Sequence, residues 1–138
     1  MGARTTAQRV KGQGMNAVTT VTLDPFADET ETETFRAGSV VFREGDSGDR
    51  MYVVLFGEVE LSINGRRVET IGSGGILGEM ALVDSGRRSA TATVTRDARL
   101  APITAQRFTM LVMKKPEFAL QIMRLLAARL RRMDALVE

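Results

Sequence analysis

Residues 51–71 read MYVVLFGEVELSINGRRVETI, and the way this stretch divides decides the fold. Its branched and aromatic residues suit a pleated, half-buried strand. Asn64-Gly65 separates VELSI from RRVETI, and a two-residue hairpin turn favours this pair because both central positions need positive φ. Gly57 interrupts the first strand and marks a bulge or a turn. An antiparallel hairpin is therefore expected at the centre of the chain.

The same reading extends outward. Upstream, SVVFREGD is a short apolar run ended by the turn pair Gly45-Asp46, and Arg36-Ala37-Gly38 is a second turn. Before it, DETETETF alternates with a period of two, which places Thr30, Thr32 and Thr34 on one face of an edge strand with its acids toward water. Downstream, RRSATATVTRDARLAPI returns to alternation with Ala90, Ala92 and Val94 on one face, and two strands are expected over 88–104. The last third changes period. A helix is expected from Thr104, with Pro116 separating it from a second one, since proline suits a first turn but not a helix interior. In that second helix Phe118, Ile122, Leu125, Leu126, Leu130, Met133 and Val137 form a stripe at three- and four-residue steps. Many short strands followed by helices give a mainly β fold with appended helices.

A chain of 138 residues suits one core. Residues 1–16, which include a second methionine at Met15, are expected to be a flexible leader, and 17–138 the domain. Met1, Gly2 and Thr6 fit the loose N-myristoylation pattern, which an unstructured tail matches by chance. No apolar run is long enough for a membrane span, and no secretory h-region is present, so a cytoplasmic location is expected. There is no cysteine and no histidine. Disulfides, the usual zinc sites and histidine-based triads are thereby excluded, and no metal or cofactor is expected. Binding rather than catalysis is the starting point. A net charge of +2 is too small to indicate nucleic acid.

The chemistry concentrates in GSGGILGEMALVDSGRRSAT, residues 72–91. Leu77 stands where the third glycine of a dinucleotide fingerprint would fall, and no Gly-Lys-Ser or Gly-Lys-Thr follows, so neither a Rossmann site nor a P-loop fits. What remains is a loop entering a helical turn at Gly78-Glu79-Met80-Ala81-Leu82. Such a turn offers N–H groups to an anion, and Arg87 or Arg88 can bind two oxygens of one phosphate as a planar fork. A carboxylate beside a phosphate needs its own donor, which ribose hydroxyls supply.

Gly78-Glu79-Met80-Ala81-Leu82 followed by Arg88-Ser89-Ala90-Thr91 resembles the phosphate-binding cassette of cyclic nucleotide-binding domains, as found in catabolite activator protein, protein kinase A regulatory subunits and cyclic-nucleotide-gated channels. The resemblance extends through Phe35, Gly38, Val41, Phe42, Gly45-Asp46, Tyr52-Val53-Val54 and Gly57-Glu58-Val59, and covers residues 33–137. It implies an eight-stranded antiparallel β-roll, jelly-roll-like, with a short cassette helix and C-terminal helices. It also implies a cyclic AMP or cyclic GMP ligand. Glu79 would accept from the ribose 2′-OH and Arg88 would hold the exocyclic phosphate oxygens. Gly78, Met80, Ala81 and Leu82 would contribute backbone, Ser89 a hydroxyl, and Val68 an apolar base contact. Arg129 aligns with a base-proximal arginine, and Met133 and Asp134 with positions near the base, while Arg87 would be solvated. The family's N-terminal helical segment is reduced here to at most a short helix over 24–29.

The resulting expectation is a non-enzymatic sensor, cyclic AMP favoured over cyclic GMP, whose C-terminal helix moves on binding and passes the signal to a protein effector of unknown identity. A homodimer through the 117–137 stripe is compatible with it. The alternatives are a fragment of a catabolite-activator-type transcription regulator and a degenerate interaction domain without ligand. Direct DNA binding is not expected, because no helix-turn-helix follows the last helix in this sequence.

Overall fold

The computed structural model describes residues 31–84 and 86–137, with side chains through Arg132. The leader over 1–16, the short helix over 24–29, Thr30, and the side chains of Met133, Asp134 and Val137 lie outside the described residues. Six strands are present among them: β1 (Glu33–Phe35), β2 (Val40–Phe42), β3 (Arg50–Ile63), β4 (Arg66–Ile71), β5 (Ile76–Leu77) and β6 (Thr91–Thr104). A short helix α1 (Met80–Val83) joins β5 to β6, and α2 (Ala105–Lys114) and α3 (Glu117–Val137) follow. All pairings are antiparallel, in the order β1-β6-β3-β4 with β2 on β6 and β5 on β3.

The mainly β architecture with appended helices is the expected one, but six strands stand where eight were implied. The difference lies in β3 and β6, each 14 residues long, which bend without breaking. They pair from Arg50 opposite Thr104 to Ser62 opposite Thr91, and the register slips between Val54 and Val59. The two strands expected over 88–104 are therefore one. Gly57, with φ 96°, sits in the slip, where a Cβ would fall 2.3 Å from the Asp97 carbonyl oxygen and 2.6 Å from the Ala98 Cα. Only glycine allows the two strands this approach. The Asn64-Gly65 hairpin forms as read, with both residues at positive φ and Ile63 opposite Arg66.

Burial along β3 explains where the helices sit. Met51 to Leu55 are buried in succession, although a strand covered on one face alternates. Tyr52 and Val54 enter the roll with Val59, Ile71, Leu77, Val94 and Leu100. Met51, Val53 and Leu55 turn the other way, onto Ile103 of β6 and onto Leu111, Phe118 and Ile122 of α2 and α3. Each such side chain contributes about 1.5–3 kcal/mol by leaving water. Thr104 caps α2 by accepting from the Arg107 amide, and the Phe108 and Phe118 rings, 5.5 Å apart, join the two helices.

One expectation for β1 is reversed. Thr34 points to solvent while Glu33 and Phe35 are half-buried. Phe35 packs against the roll, and the period of two then carries Glu33 to the same side.

Gly57→Ala is expected to destabilise the fold by about 2–3 kcal/mol, since the new methyl meets backbone and the φ is unfavourable. Gly72→Ala, with nothing within 4 Å of its Cβ position, serves as the control and is expected to leave the urea midpoint nearly unchanged.

Candidate functional site

After β5 the chain turns at Gly78, and Glu79 opens α1. The Ala81 amide donates to the Gly78 carbonyl at 3.1 Å and the Leu82 amide to that of Glu79 at 3.1 Å, so the turn is tightly wound. Leu82 packs against the helix-side core. It is the one proposed site residue that does not face the cavity described below.

The segment after Gly86 is pinned to the turn before β3. The Arg88 amide donates to the Asp46 carbonyl (2.7 Å), and the Gly45 amide donates to the Arg88 carbonyl (2.8 Å). Side chains at 87 and 88 consequently diverge. Arg87 stays exposed and donates to the Gly45 carbonyl at 2.9 Å. Arg88 turns inward and is only 8% exposed. Its Nη2 donates to the Arg50 carbonyl (2.9 Å), its Nη1 to the Gly78 carbonyl (3.3 Å), and its Cζ lies 4.1 Å from the centre of the Phe42 ring. Nε is buried without a partner. Among the described residues no carboxylate pairs with this cation. Burial, ahead of the nearby charges, pushes the Arg88 pKa below its ordinary value, yet an arginine still carries its charge at neutral pH.

Glu79 does not pair with Arg88. Its Oε2 accepts from Arg129 Nη1 of α3 at 2.7 Å, and its Oε1 is buried with no partner. Arg129 also donates from Nη2 to the Ile76 carbonyl (2.8 Å). Its Nε is 3.1 Å from Glu69 Oε1, close enough for an ion pair but not aligned as a hydrogen bond. Glu69 in turn accepts from Arg132. The chain Glu79, Arg129, Glu69, Arg132 alternates in sign and ties α3 to α1 and β4.

These groups surround a cavity of about 420 Å³. Gly78, Glu79, Met80, Ala81, Val68, Arg88, Ser89 and Arg129, to which the resemblance assigns ligand contacts, all line it. Phe42, Leu61, Ile63, Glu69, Ala90, Leu126 and Leu130 also line it without having been given a ligand role, and so does Arg87, which was expected to be solvated. Leu61 and Ile63 were legible in principle, being the same-face positions of β3 beyond the bulge, and Leu126 and Leu130 belong to the α3 stripe. Glu69 carried no local signal. Among the described residues no group of three potential ligands could hold a metal ion, and no helix is long and apolar enough to cross a membrane.

The antiparallel roll, cassette turn and terminal helices are those of a nucleotide-binding domain. The chain belongs to the cyclic nucleotide-binding domain family, whose model matches residues 32–115. It is 35% identical over 102 residues to the "Cyclic AMP receptor protein" of Thermus thermophilus, covering 70% of this chain and 47% of that one. It is 32% identical over 103 residues to a "CRP-like cAMP-activated global transcriptional regulator" of Mycobacterium tuberculosis, covering 71% and 46%. The chain thus spans about half the length of the curated relatives it matches. Among solved structures, Thermus thermophilus catabolite activator protein superposes with a TM-score of 0.69 at 30% identity, covering 83% of this chain and 59% of that one.

The Glu79–Arg129 pair predicts a measurable coupling. In a double-mutant cycle of Glu79→Gln and Arg129→Met on the ligand-free protein, an interaction of about 1–3 kcal/mol is expected by chemical denaturation. The same cycle for Glu69 and Arg132 is expected to give under about 1 kcal/mol, because Arg132 is 58% exposed.

Proposed function

We propose that this chain is a non-catalytic cyclic nucleotide sensor, with cyclic AMP favoured over cyclic GMP, in which ligand binding biases the position of α3. The observation that carries the reading is a buried cation with no carboxylate partner among the described residues, Arg88, sharing a cavity wall with a half-buried carboxylate, Glu79, one of whose oxygens is buried and unpartnered. A cation in that setting is stabilised by an anion, and an orphan carboxylate oxygen by a hydroxyl donor. A ribose carrying a cyclic phosphate supplies both within one small molecule. The cavity volume lies in the range of small-molecule sites, and Val68, Leu61 and Leu126 give it an apolar side for a base. Ser89 is a modest cue toward cyclic AMP, and the names of the relatives point the same way.

Coupling to α3 follows from contacts it shares with the site. Arg129 holds Glu79, and Leu126 and Leu130 form part of the wall. A ligand that changes these contacts shifts the helix only by the difference in its affinity for the two positions. Leu120 and Met123 lie exposed on α3, which suits a homodimer and an effector contact in the cytoplasm. A second reading, the sensing part of a larger transcription regulator, is favoured by the relatives about twice as long that carry that name.

Calorimetric titration with cyclic AMP and cyclic GMP tests the proposal. The parent protein is expected to bind cyclic AMP more tightly, and Arg88→Ala to weaken that binding about 10- to 100-fold through loss of a charge-assisted contact. Absence of binding to either nucleotide by the parent would sink the sensor reading.

A further inference from the structure

We infer that Phe42, Gly48 and Gly78 form a seat that fixes the orientation of the Arg88 guanidinium and makes Phe42 and Gly48 positioning residues for anion binding. The inference rests on the reading of Arg88 as the phosphate ligand.

Three observations define the seat. The guanidinium lies over the Phe42 ring at 4.1 Å, and that ring stacks on Tyr52 with centroids 6.2 Å apart and planes inclined by 30°. Two main-chain carbonyls, of Arg50 and Gly78, accept from Nη2 and Nη1. Two glycines leave the space that the group fills. A Cβ at Gly48 would fall 2.3 Å from Nε and 2.5 Å from Cζ, and one at Gly78 would fall 2.6 Å from Nη1.

A guanidinium carries five N–H donors in one plane. Two carbonyls on different nitrogens fix the rotation of that plane, and the aromatic face favours a cation above it. Remaining donors are thereby aimed without any ordering of the side chain at the moment of binding, and preorganisation of this kind raises affinity. A lysine does not substitute. Its ammonium is a compact point charge that cannot satisfy two carbonyls and present a fork to a ligand in one plane. Phe42 lines the cavity, so a ligand could also touch it directly, whereas Gly48 does not line it. An effect at Gly48 must therefore pass through Arg88.

Binding of cyclic AMP is compared by calorimetry for the parent, Gly48→Ala, Phe42→Leu, Phe42→Tyr and Arg88→Lys. Gly48→Ala and Phe42→Leu are each expected to weaken binding by about tenfold or more. Their melting temperatures should stay within about 4 °C of the parent. Phe42→Tyr should restore affinity, and Arg88→Lys should not. In the Arg88→Lys background, Gly48→Ala is expected to have no further effect. If Gly48→Ala fails to fold, the Phe42→Leu and Phe42→Tyr pair decides, and equal affinity for both and the parent overturns the seat. Parent-like binding by Gly48→Ala or by Arg88→Lys overturns it as well. Should the parent bind no cyclic nucleotide, the sensor reading fails while the seat is still decided on the free protein. The Arg88 Nε–H signal, assigned by its loss in Arg88→Lys, is then expected upfield and exchange-protected in the parent and shifted in Phe42→Leu. An ordinary exposed-arginine signal in the parent is the overturning result.

Discussion

The contacts of the Arg88 guanidinium with the Arg50 and Gly78 carbonyls are the constraint on which the cassette depends. Removing a cation from water is expensive when no anion accompanies it. The neighbouring structure is organised to offset that cost. Glycine at 48 and 78 admits the group, the Phe42 ring covers it, and the backbone of residues 45–46 pairs with that of residue 88 so that the side chain enters at a fixed point. The start of β3, the end of β5 and β2 each supply part of this enclosure. Arg88 is thus a buried cation held by main-chain carbonyls and an aromatic ring, with no carboxylate paired to it among the described residues.

The opposite charge on the same wall is treated differently. Glu79 and Arg88 could have neutralised each other, and a cavity closed by such an ion pair would offer little to a ligand. Instead Glu79 takes its cation from α3, fifty residues away in sequence, through a contact of 2.7 Å to Arg129. One carboxylate oxygen is held in place by that contact and the other is buried without a partner. The helix and the site consequently share a residue. Glu79 thereby touches both the cavity and α3.

The sequence is legible where the physics is local. Asn64-Gly65 determines a turn from two residues, Thr104 caps a helix from its own hydroxyl, and Ala92 and Val94 alternate because a strand does. Errors came where a long-range contact overrides the pattern. The acid and threonine alternation before Phe35 gave no hint that packing of that ring would turn Thr34 outward. Gly57 was legible as a bulge or a turn, but the choice between them depends on Asp97 and Ala98, forty residues away in sequence, and it alters the strand count. In the cassette the residue types alone are equally compatible with an ion pair, and only the family resemblance implies that Glu79 and Arg88 address one ligand; both line one cavity. Gly48 and Glu69 escaped notice because their significance lies entirely in side chains brought to them by the fold.

Along α3 the means of attachment changes. Phe118 and Ile122, at the first turns, are 2% and 6% exposed against the roll, whereas Leu130 is 61% exposed. Between Phe118 and Arg129 the helix advances roughly 16 Å, at 1.5 Å per residue. Over that distance apolar burial gives way to ion pairs with Glu79 and Glu69. Buried apolar surface is not readily exchanged, because every departure exposes it to water. Ion pairs at a cavity edge are exchangeable, because a ligand or solvent can take over either partner. The near end of α3 is therefore held by the core and the far end by ion pairs at the cavity edge.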